Sequence, residues 1–480
     1  LASSAGGAGT ADRLAWRACG DMECASLEVP LRYDGRGKAT LTLATARVRA
    51  RDASRRLGAL VVNFGGPGSS GRDYLVDFAR SLPGELRDRF DIVLYDPRGV
   101  GDSDGINCGL DIPALLDFDD RVDRRSPRVL LRESWKLIEP CLERDRATIP
   151  HLGTANAARD LDRLRAALGD DRLTYLGFSY GTRLGSVYAH LFPRRVRALV
   201  LDGAVTPSAD WRKLSLDGAA ASEGASRRFF DDCRDGCGTP AVGPLWRRAV
   251  ERLAREKLVV DGHRIGPAYL ELVAALSLGA GRSEMRTLAQ LVEDVATEDD
   301  ASERRSLGAI LASTLEQIIG NGAEVAARVA ISCADDPARP GFAEIEAFDR
   351  LVDRRYPITG STADGACPPR WPAAIDPLPA VTAAGAPPIV VVGRASTPSP
   401  RTAGRWSLHG RCRAPSSSRS SETRTRPSAR ATGASTLSSS GTSSTGAGPV
   451  PPAAAADAIP VRRRGSCRTR PPARRPERLH

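Results

Sequence analysis

Leu173–Gly181 reads Leu-Thr-Tyr-Leu-Gly-Phe-Ser-Tyr-Gly, and a helical pattern of small and apolar residues, Thr182–Phe192, follows it. Gly-x-Ser-x-Gly between a strand and a helix is typical of a nucleophile elbow, a turn so tight that glycine is needed at its flanks. The turn exposes its serine, and the new helix directs its first amides and its dipole toward negative charge. An ordinary turn is the alternative, since such pentapeptides also arise by chance. The flanking pattern favours Ser179 as a nucleophile and the Tyr180 amide as an oxyanion donor.

Short apolar runs and helical patterns alternate on both sides of this elbow. The predicted core elements are strands at 58–64, 90–95 and 196–201 and an amphipathic helix at 155–168. Two segments with period-two alternation within residues 1–50 predict leading antiparallel strands. Strands that alternate with helices predict an α/β fold with a mostly parallel sheet covered by helices on both faces.

A glycine-rich loop, Gly65–Gly71, follows the first buried strand. It lacks the Lys-Ser/Thr of a P-loop and the spacing of a dinucleotide fingerprint, which argues against both phosphate-binding motifs. With a serine elbow downstream, an oxyanion loop is the better interpretation, because side chains would keep its amides away from a reacting carbonyl. We therefore expect the Gly66 amide, beside Gly65, to act with that of Tyr180. Asp96 and Arg98, after the next strand, are expected to brace their loop rather than react.

Helical segments dominate between residues 206 and 380, and we interpret them as an inserted lid. The predicted organisation is an N-terminal segment with leading strands, a first core part, the lid, a core strand and an aberrant tail, at 1–50, 51–205, 206–380, 381–394 and 395–480.

Eight of the ten cysteines lie before residue 390 and form couples. Sequential pairing predicts the disulfides Cys19–Cys24, Cys108–Cys141, Cys233–Cys237 and Cys333–Cys367. Such pairing indicates an oxidising compartment, either extracellular or periplasmic, whereas free buried thiols in a cytosolic enzyme are the alternative. No couple has the spacing or the neighbouring histidine of a zinc site, so no metal is expected. Because the chain begins with Leu1, we expect a fragment or a chain that has lost a signal peptide.

The basic charge of the chain is concentrated at its C-terminal end. The chain has 69 basic and 58 acidic side chains, of which 16 arginines and three acids lie in 395–480. The remaining residues therefore have 53 basic and 55 acidic groups, which gives no reason to expect a nucleic-acid-binding face. No run of eighteen apolar residues occurs, so no membrane span is expected.

Four ordered motifs resemble the secreted tripeptidyl aminopeptidases, which are α/β-hydrolases related to the prolyl aminopeptidases. The motifs are Asn63-Phe-Gly-Gly-Pro-Gly-Ser-Ser-Gly, Tyr95-Asp-Pro-Arg-Gly-Val-Gly-Asp-Ser, Gly177-Phe-Ser-Tyr-Gly-Thr and Pro387-Pro-Ile-Val-Val-Val-Gly. The resemblance covers residues 15–393 and implies an exported serine exopeptidase that cuts short peptides from free N-termini under a lid, without a cofactor. Asn63 stands where many relatives have His, and the change should not disturb the backbone amides.

Two other functions stay open, a secreted esterase or lipase of the same fold and a non-catalytic protein that kept the fold. Acidic lid residues that bind a substrate ammonium would favour the peptidase, and Glu223, Asp231 and Asp232 are candidates. Oligomeric state is not predicted.

The resemblance implies an aspartate after the strand at Ile389 and a histidine after the last strand, and neither is present. Gly393 is followed by Arg-Ala-Ser-Thr-Pro-Ser-Pro-Arg. His151, His190 and His263 are expected to be structural or solvated. Residues 395–480 are mostly Arg, Ser, Pro, Ala, Thr and Gly, a composition typical of disorder, and His409 and His480 lie in it.

The tail can also be translated in a shifted reading frame, in which each codon combines the last base of one present codon with the first two bases of the next. Across Thr397–Thr402 it allows Asp-Pro-Val-Thr-Pro-Tyr, and across Ser416–Arg426 it allows Glu-Leu-Val-Thr-Phe-Glu-Gly-Asp-Ala-His-Ala. Across Thr432–Gly446 it allows the closing helix, including Val-Val-Glu-Trp-Tyr-Leu-Val-Asp-Gly. The sequence therefore predicts a frame slip, with the lost acid encoded across Ser396–Thr397 and the lost base across Arg424–Thr425. We expect the 480-residue chain to be misfolded and nearly inactive.

Overall fold

A computed structural model describes residues 13–393 except positions 107, 113, 115–126, 209, 234–240, 257, 278–281, 361–366 and 368. The strands are β1 Arg17–Cys19, β2 Met22–Pro30, β3 Thr40–Val48, β4 Gly58–Asn63, β5 Phe90–Tyr95, β6 Leu173–Phe178, β7 Val196–Asp202, β8 Leu258–Val260, β9 His263–Ile265 and β10 Val390–Val392. The helices are α1 Leu75–Ser81, α2 Gly84–Arg89, α3 Pro127–Lys136, α4 Glu139–Arg144, α5 Thr154–Ala167, α6 Tyr180–Leu191, α7 Trp211–Asp232, α8 Val242–Arg255, α9 Pro267–Ser277, α10 Arg282–Thr297, α11 Ala301–Ile319, α12 Gly322–Asp335 and α13 Phe342–Arg355. Short 3-10 helices lie at Ala53–Arg55, Arg72–Tyr74, Ile149–His151 and Pro193–Arg195.

Within the described residues, one sheet has the strand order β1-β2-β3-β5-β4-β6-β7-β10. The pairs from β5 to β10 along this order are parallel, and β1, β2, β3 and β5 pair antiparallel. Every residue of the central strands β4 and β5 is buried, as expected for strands with both faces covered. The structure thus confirms the α/β-hydrolase fold class, with a mostly parallel sheet and leading antiparallel strands.

The two helices around the elbow pack closely against this sheet. Leu161 and Leu164 of α5 are fully buried in the main core, together with Leu184 and Val187 of α6. Helix α6 approaches the strands so closely that a Cβ at Gly185 would lie 2.8 Å from side-chain atoms of β6 and β7. The absence of a side chain at Gly185 therefore allows α6 to pack closely against β6 and β7.

Helices α7 to α13 and the hairpin β8–β9 lie between β7 and β10 in the chain. Most of them share a hydrophobic cluster separate from that of the sheet, in which Leu270, Val292 and Leu311 are fully buried. Helix α12 is an exception, because Ala326, Ala330 and Ile331 belong to the hydrophobic cluster that packs against the large sheet. Helix α12 therefore connects the insertion to the core.

Three of the four predicted disulfides are confirmed, namely Cys19–Cys24, Cys108–Cys141 and Cys333–Cys367. Cys233 is also disulfide-bonded, and its predicted partner Cys237 lies outside the described residues. Free buried thiols, the cytosolic alternative, are therefore wrong for these cysteines.

Among the described strands, β10 lies at one end of the strand order and is poorly covered. Val390, Val391 and Val392 are 56%, 58% and 40% exposed. In the part of the chain that the structure describes, no helix has the length and apolar character needed to cross a membrane. The predicted tail, 395–480, lies outside the described residues.

Candidate active site

Ser179 lies between the end of β6 and the start of α6, with φ 51° and ψ −120°. A non-glycine residue in this region is strained, and such strain is held in place by the surrounding structure. The flanking glycines allow the turn: a Cβ on Gly177 would lie 2.6 Å from the carbonyl carbon of Gly181, and one on Gly181 would lie 2.6 Å from the Asn63 carbonyl oxygen. The geometry is that of the predicted elbow.

Backbone hydrogen bonds hold the elbow to its neighbours and leave its side chain free. The Ser179 N–H donates to the carbonyl oxygen of Asp202, at 3.0 Å. The Ser179 carbonyl oxygen accepts from the N–H and the hydroxyl of Thr182, at 2.9 and 2.6 Å. Ser179 is exposed, and its hydroxyl makes no hydrogen bond to the described residues. The serine is therefore accessible to a reacting group above the sheet.

The glycine loop reaches the elbow at Gly65. A Cβ on this residue would lie 2.9 Å from Cβ of Ser179 and 3.2 Å from the amide nitrogen of Tyr180. The Gly65 N–H is already engaged, because it donates to Oδ1 of buried Asn63 at 3.1 Å. Among the described residues, the exposed Gly66 amide and the Tyr180 amide, the first of α6, have no acceptor. The Gly66 and Tyr180 amides are thus available for the predicted role, whereas Gly65 supplies space rather than a donor.

Helix α12 contacts the other side of this loop. Oε1 of Glu324 accepts a hydrogen bond from the Ser70 amide at 3.2 Å, and Nε of Arg328 donates to the Pro67 carbonyl oxygen at 3.3 Å. Burial raises the pKa of Glu324. The loop has no room for a side chain here, since a Cβ on Gly68 would lie 2.7 Å from the Arg328 amide nitrogen. The helix therefore fixes the loop from above.

The loop after β5 is braced as predicted. Fully buried Arg98 binds both carboxylate oxygens of Asp160 on α5, at 2.6 and 2.7 Å, and donates to the His151 carbonyl oxygen at 2.9 Å. Asp96 is also buried; its Oδ2 accepts from the Asp102 amide at 3.1 Å, and burial raises its pKa to about 6. Both side chains hold backbone segments together.

The histidines of the described residues do not complete the site. His151 is buried, and burial lowers its pKa. His190 lies near the end of α6 beside Thr382, at 3.4 Å, and His263 lies on β9. None of the three hydrogen-bonds Ser179. The predicted positions of the acid and the base, 396–397 and 424–425, lie outside the described residues, as do His409 and His480.

The lid acids singled out for a substrate ammonium differ in their surroundings. Glu223 is buried and accepts hydrogen bonds from the Ile358 amide at 2.9 Å and from Arg227 at 2.7 Å. Its carboxylate therefore serves to hold the insertion together. Asp231 and Asp232 are exposed at the end of α7.

Comparisons with known proteins identify the family of the chain. The family described as alpha/beta hydrolase fold matches residues 58–307. Serine protease Hip1 of Mycobacterium tuberculosis is 34% identical over 414 residues, which span 79% of this chain and 77% of that protein. A tripeptidyl aminopeptidase of Streptomyces coelicolor is 38% identical over 228 residues, 45% of this chain and 41% of that protein. A solved structure, Cfl2 of Burkholderia cenocepacia, is 15% identical with a TM-score of 0.22 and covers 60% of this chain and 73% of its own.

The family match spans more than half of the chain, and the similarity to Hip1 spans more than two thirds of both proteins. The chain belongs to the α/β-hydrolase family, among its serine peptidases.

Proposed function

We propose that this chain comes from an exported exopeptidase that releases tripeptides from free N-termini through an acyl-enzyme on Ser179. The observation that carries the proposal is the strained, exposed serine beside Gly65, together with the amides of Gly66 and Tyr180, which have no acceptor among the described residues. The name of the Streptomyces relative supports tripeptide release. The confirmed disulfides support an oxidising compartment outside the cytosol.

The proposed chemistry follows from this arrangement. The Ser179 hydroxyl attacks the scissile carbonyl carbon, whose oxygen becomes negatively charged. The amides of Gly66 and Tyr180 donate to that oxygen, and the N-terminal end of α6 adds its dipole. The amine leaves with a proton, and water then releases the acyl group. Both steps need a base that removes the proton from the serine or the water, and an acid that orients the base.

We further propose that this base and acid were lost through a frame slip after Gly393. Restoring the frame places the acid at the junction of 396 and 397 and the base at that of 424 and 425. The exposed valines of β10 support the proposal, since a parallel strand of this type is ordinarily covered on both faces. On this proposal the core comprises 51–205 and 381–394, and the lid comprises 206–380.

Labelling of Ser179 tests the proposed function. We expect a fluorophosphonate probe to modify the frame-restored chain at one site, read by intact mass and peptide mapping, and Ser179→Ala to abolish the label. Paired assays with a tripeptide anilide and short acyl esters identify the substrate class, and faster turnover of the esters would favour the esterase. Failure to label Ser179 in the restored chain would refute the proposal.

Gly65→Ala is expected to slow this labelling by at least about 100-fold, because displacement of reacting groups by about 1 Å has effects of this size. The added methyl would lie 2.7 Å from the Phe178 carbonyl oxygen and 2.9 Å from Cβ of Ser179. Gly169→Ala is the matched control, since Gly169 also has a positive φ, 81°, but no atom within 4 Å of an added Cβ. Equal labelling rates in the two variants would contradict the placement of the loop.

A further inference from the structure

Asp335, the last residue of α12, lies buried beneath the elbow helix. Its Oδ1 accepts from the Thr154 amide at 2.6 Å, and its Oδ2 accepts from the Thr154 hydroxyl at 2.6 Å. The same hydroxyl lies 2.6 Å from the phenol oxygen of Tyr180, the residue whose amide is the proposed oxyanion donor. Three side chains from three helices thus form one buried chain of hydrogen bonds that ends at the elbow.

Donors and acceptors can be assigned in only one consistent way along this series of hydrogen bonds. An ionised carboxylate only accepts, so Asp335 accepts both the N–H and the O–H of Thr154. The Thr154 oxygen is then free to accept from the Tyr180 phenol, which donates. Burial raises the pKa of Asp335 to about 6, while Arg183 of α6, 3.9 Å away, favours the charged form. Both carboxylate oxygens have a hydrogen-bond donor, and every member of this hydrogen-bond series has a partner.

The start of α5 leaves room for the Asp335 carboxylate beside its first amides. Thr154 is the first residue of α5, whose N-cap, Gly153, has no side chain to satisfy the exposed amides. Asp335 supplies the missing acceptor from another helix, and a carboxylate also complements the positive end of the helix dipole. A Cβ on Gly153 would lie 3.1 Å from Oδ1 of Asp335. The carboxylate thus takes the place of an N-cap side chain for α5. Through Thr154 it also connects α12 of the insertion to Tyr180 of the elbow.

Residues nearer the N-terminal end of α12 contact the glycine loop, which carries the Gly66 amide. Glu324 and Arg328 bind the glycine loop at Ser70 and Pro67, as described above. One helix therefore fixes both the loop that carries the Gly66 amide and, through Thr154, the residue that carries the other donor. Oxyanion donors must lie about 2.7–3.1 Å from the developing charge, so their separation has to be held closely.

We infer that Thr154 and Asp335 are positioning residues, through which lid helix α12 sets the place of the Tyr180 amide relative to the Gly66 amide. This inference rests on the proposed acyl transfer at Ser179. It assigns a task to the buried phenol of Tyr180, which otherwise only fills space. It also makes α12 part of the catalytic scaffold rather than only a cover over the site.

The test compares Thr154→Val, which keeps the shape and loses the hydroxyl, with Thr154→Ser, which keeps the hydroxyl, in the frame-restored full chain. We expect Thr154→Val to lower kcat for a tripeptide anilide about tenfold, equivalent to about 1.4 kcal/mol, with KM within about twofold. Thr154→Ser recovers most of kcat. Tyr180→Phe behaves as Thr154→Val does, and the double variant is no worse than either single one, because both remove the same chain of hydrogen bonds.

The same variants of the frame-restored chain are compared by hydrogen exchange of the segment 177–188, which is expected to exchange about tenfold faster in Thr154→Val than in Thr154→Ser. The inference is overturned if Thr154→Val keeps the native kcat and exchange rate, if only KM changes, or if Thr154→Ser is as impaired as Thr154→Val. Loss of the proposed function is distinguishable, since the restored chain with native Thr154 would then neither label at Ser179 nor turn over substrate.

Discussion

Restoring the reading frame after Gly393 is expected to raise peptidase turnover by roughly four to six orders of magnitude over the 480-residue chain. Ser179 lies exposed on a strained turn, whereas no described histidine lies in hydrogen-bond contact with the serine. Without a base the hydroxyl keeps its proton, so acylation depends on the oxyanion donors and substrate binding alone. The measurement is the initial rate of tripeptide-anilide hydrolysis by equal amounts of the two proteins, each verified by intact mass.

Two controls test whether the gain in turnover comes from Ser179 and from the restored frame. Ser179→Ala in the restored chain should return the rate to that of the 480-residue chain. The bases at the junctions of 396 with 397 and 424 with 425 must also permit Asp and His codons in the shifted frame. Codons that exclude either residue, or rapid hydrolysis by a protein whose mass matches the 480-residue sequence, would sink the frame slip.

Arg98→Met is expected to lower the free energy of unfolding by about 3–5 kcal/mol, since it leaves a buried carboxylate without its partner. Both Arg98 and Asp160 are fully buried, and the guanidinium also donates to the carbonyl oxygens of Pro30, Leu31 and His151, at 3.2, 3.0 and 2.9 Å. The pair therefore joins the end of β2, the loop after β5, the 3-10 helix that ends at His151 and the middle of α5. Denaturant unfolding of the restored chain, followed by fluorescence, measures the change.

The exposed pair Arg255 and Glu251 on α8 provides the control. These side chains are 72% and 68% exposed and 3.7 Å apart, so Arg255→Met should change the stability by less than about 1 kcal/mol. Adding Asp160→Leu to Arg98→Met should recover part of the loss, because no charge then remains buried. Similar losses for Arg98→Met and Arg255→Met would show that the buried pair has no special effect.

Local sequence signals predicted much of this fold. The elbow is a strained turn whose glycines are required within five consecutive residues, and the glycine loop follows a strand of apolar residues, so both are visible in the sequence. The disulfide couples were close enough in sequence for sequential pairing to succeed, and Cys333–Cys367, the most widely spaced, joins residues 34 positions apart.

Contacts across the chain were not predictable in the same way. Asp335 reaches Thr154 over 181 positions, and Glu324 reaches Ser70 over 254. Nothing in an isolated helix pattern states which face meets a distant loop. The engagement of the Gly65 amide by Asn63 was also missed, although an amide side chain two residues before a glycine turn is a common local acceptor. The hairpin β8–β9 and helix α13 were absent from the prediction, since short strands and moderately polar helices give weak signals.

The backbone angle at Ser179 has a cost in stability as well as a part in exposing the side chain. A non-glycine residue held at such an angle costs of order 1–3 kcal/mol, and glycine would relax the turn. A chain without a catalytic task would gain stability from that replacement. The serine still occupies the bend, between the two glycines that only a working elbow requires. The strained serine is therefore a feature that catalysis accounts for and stability does not.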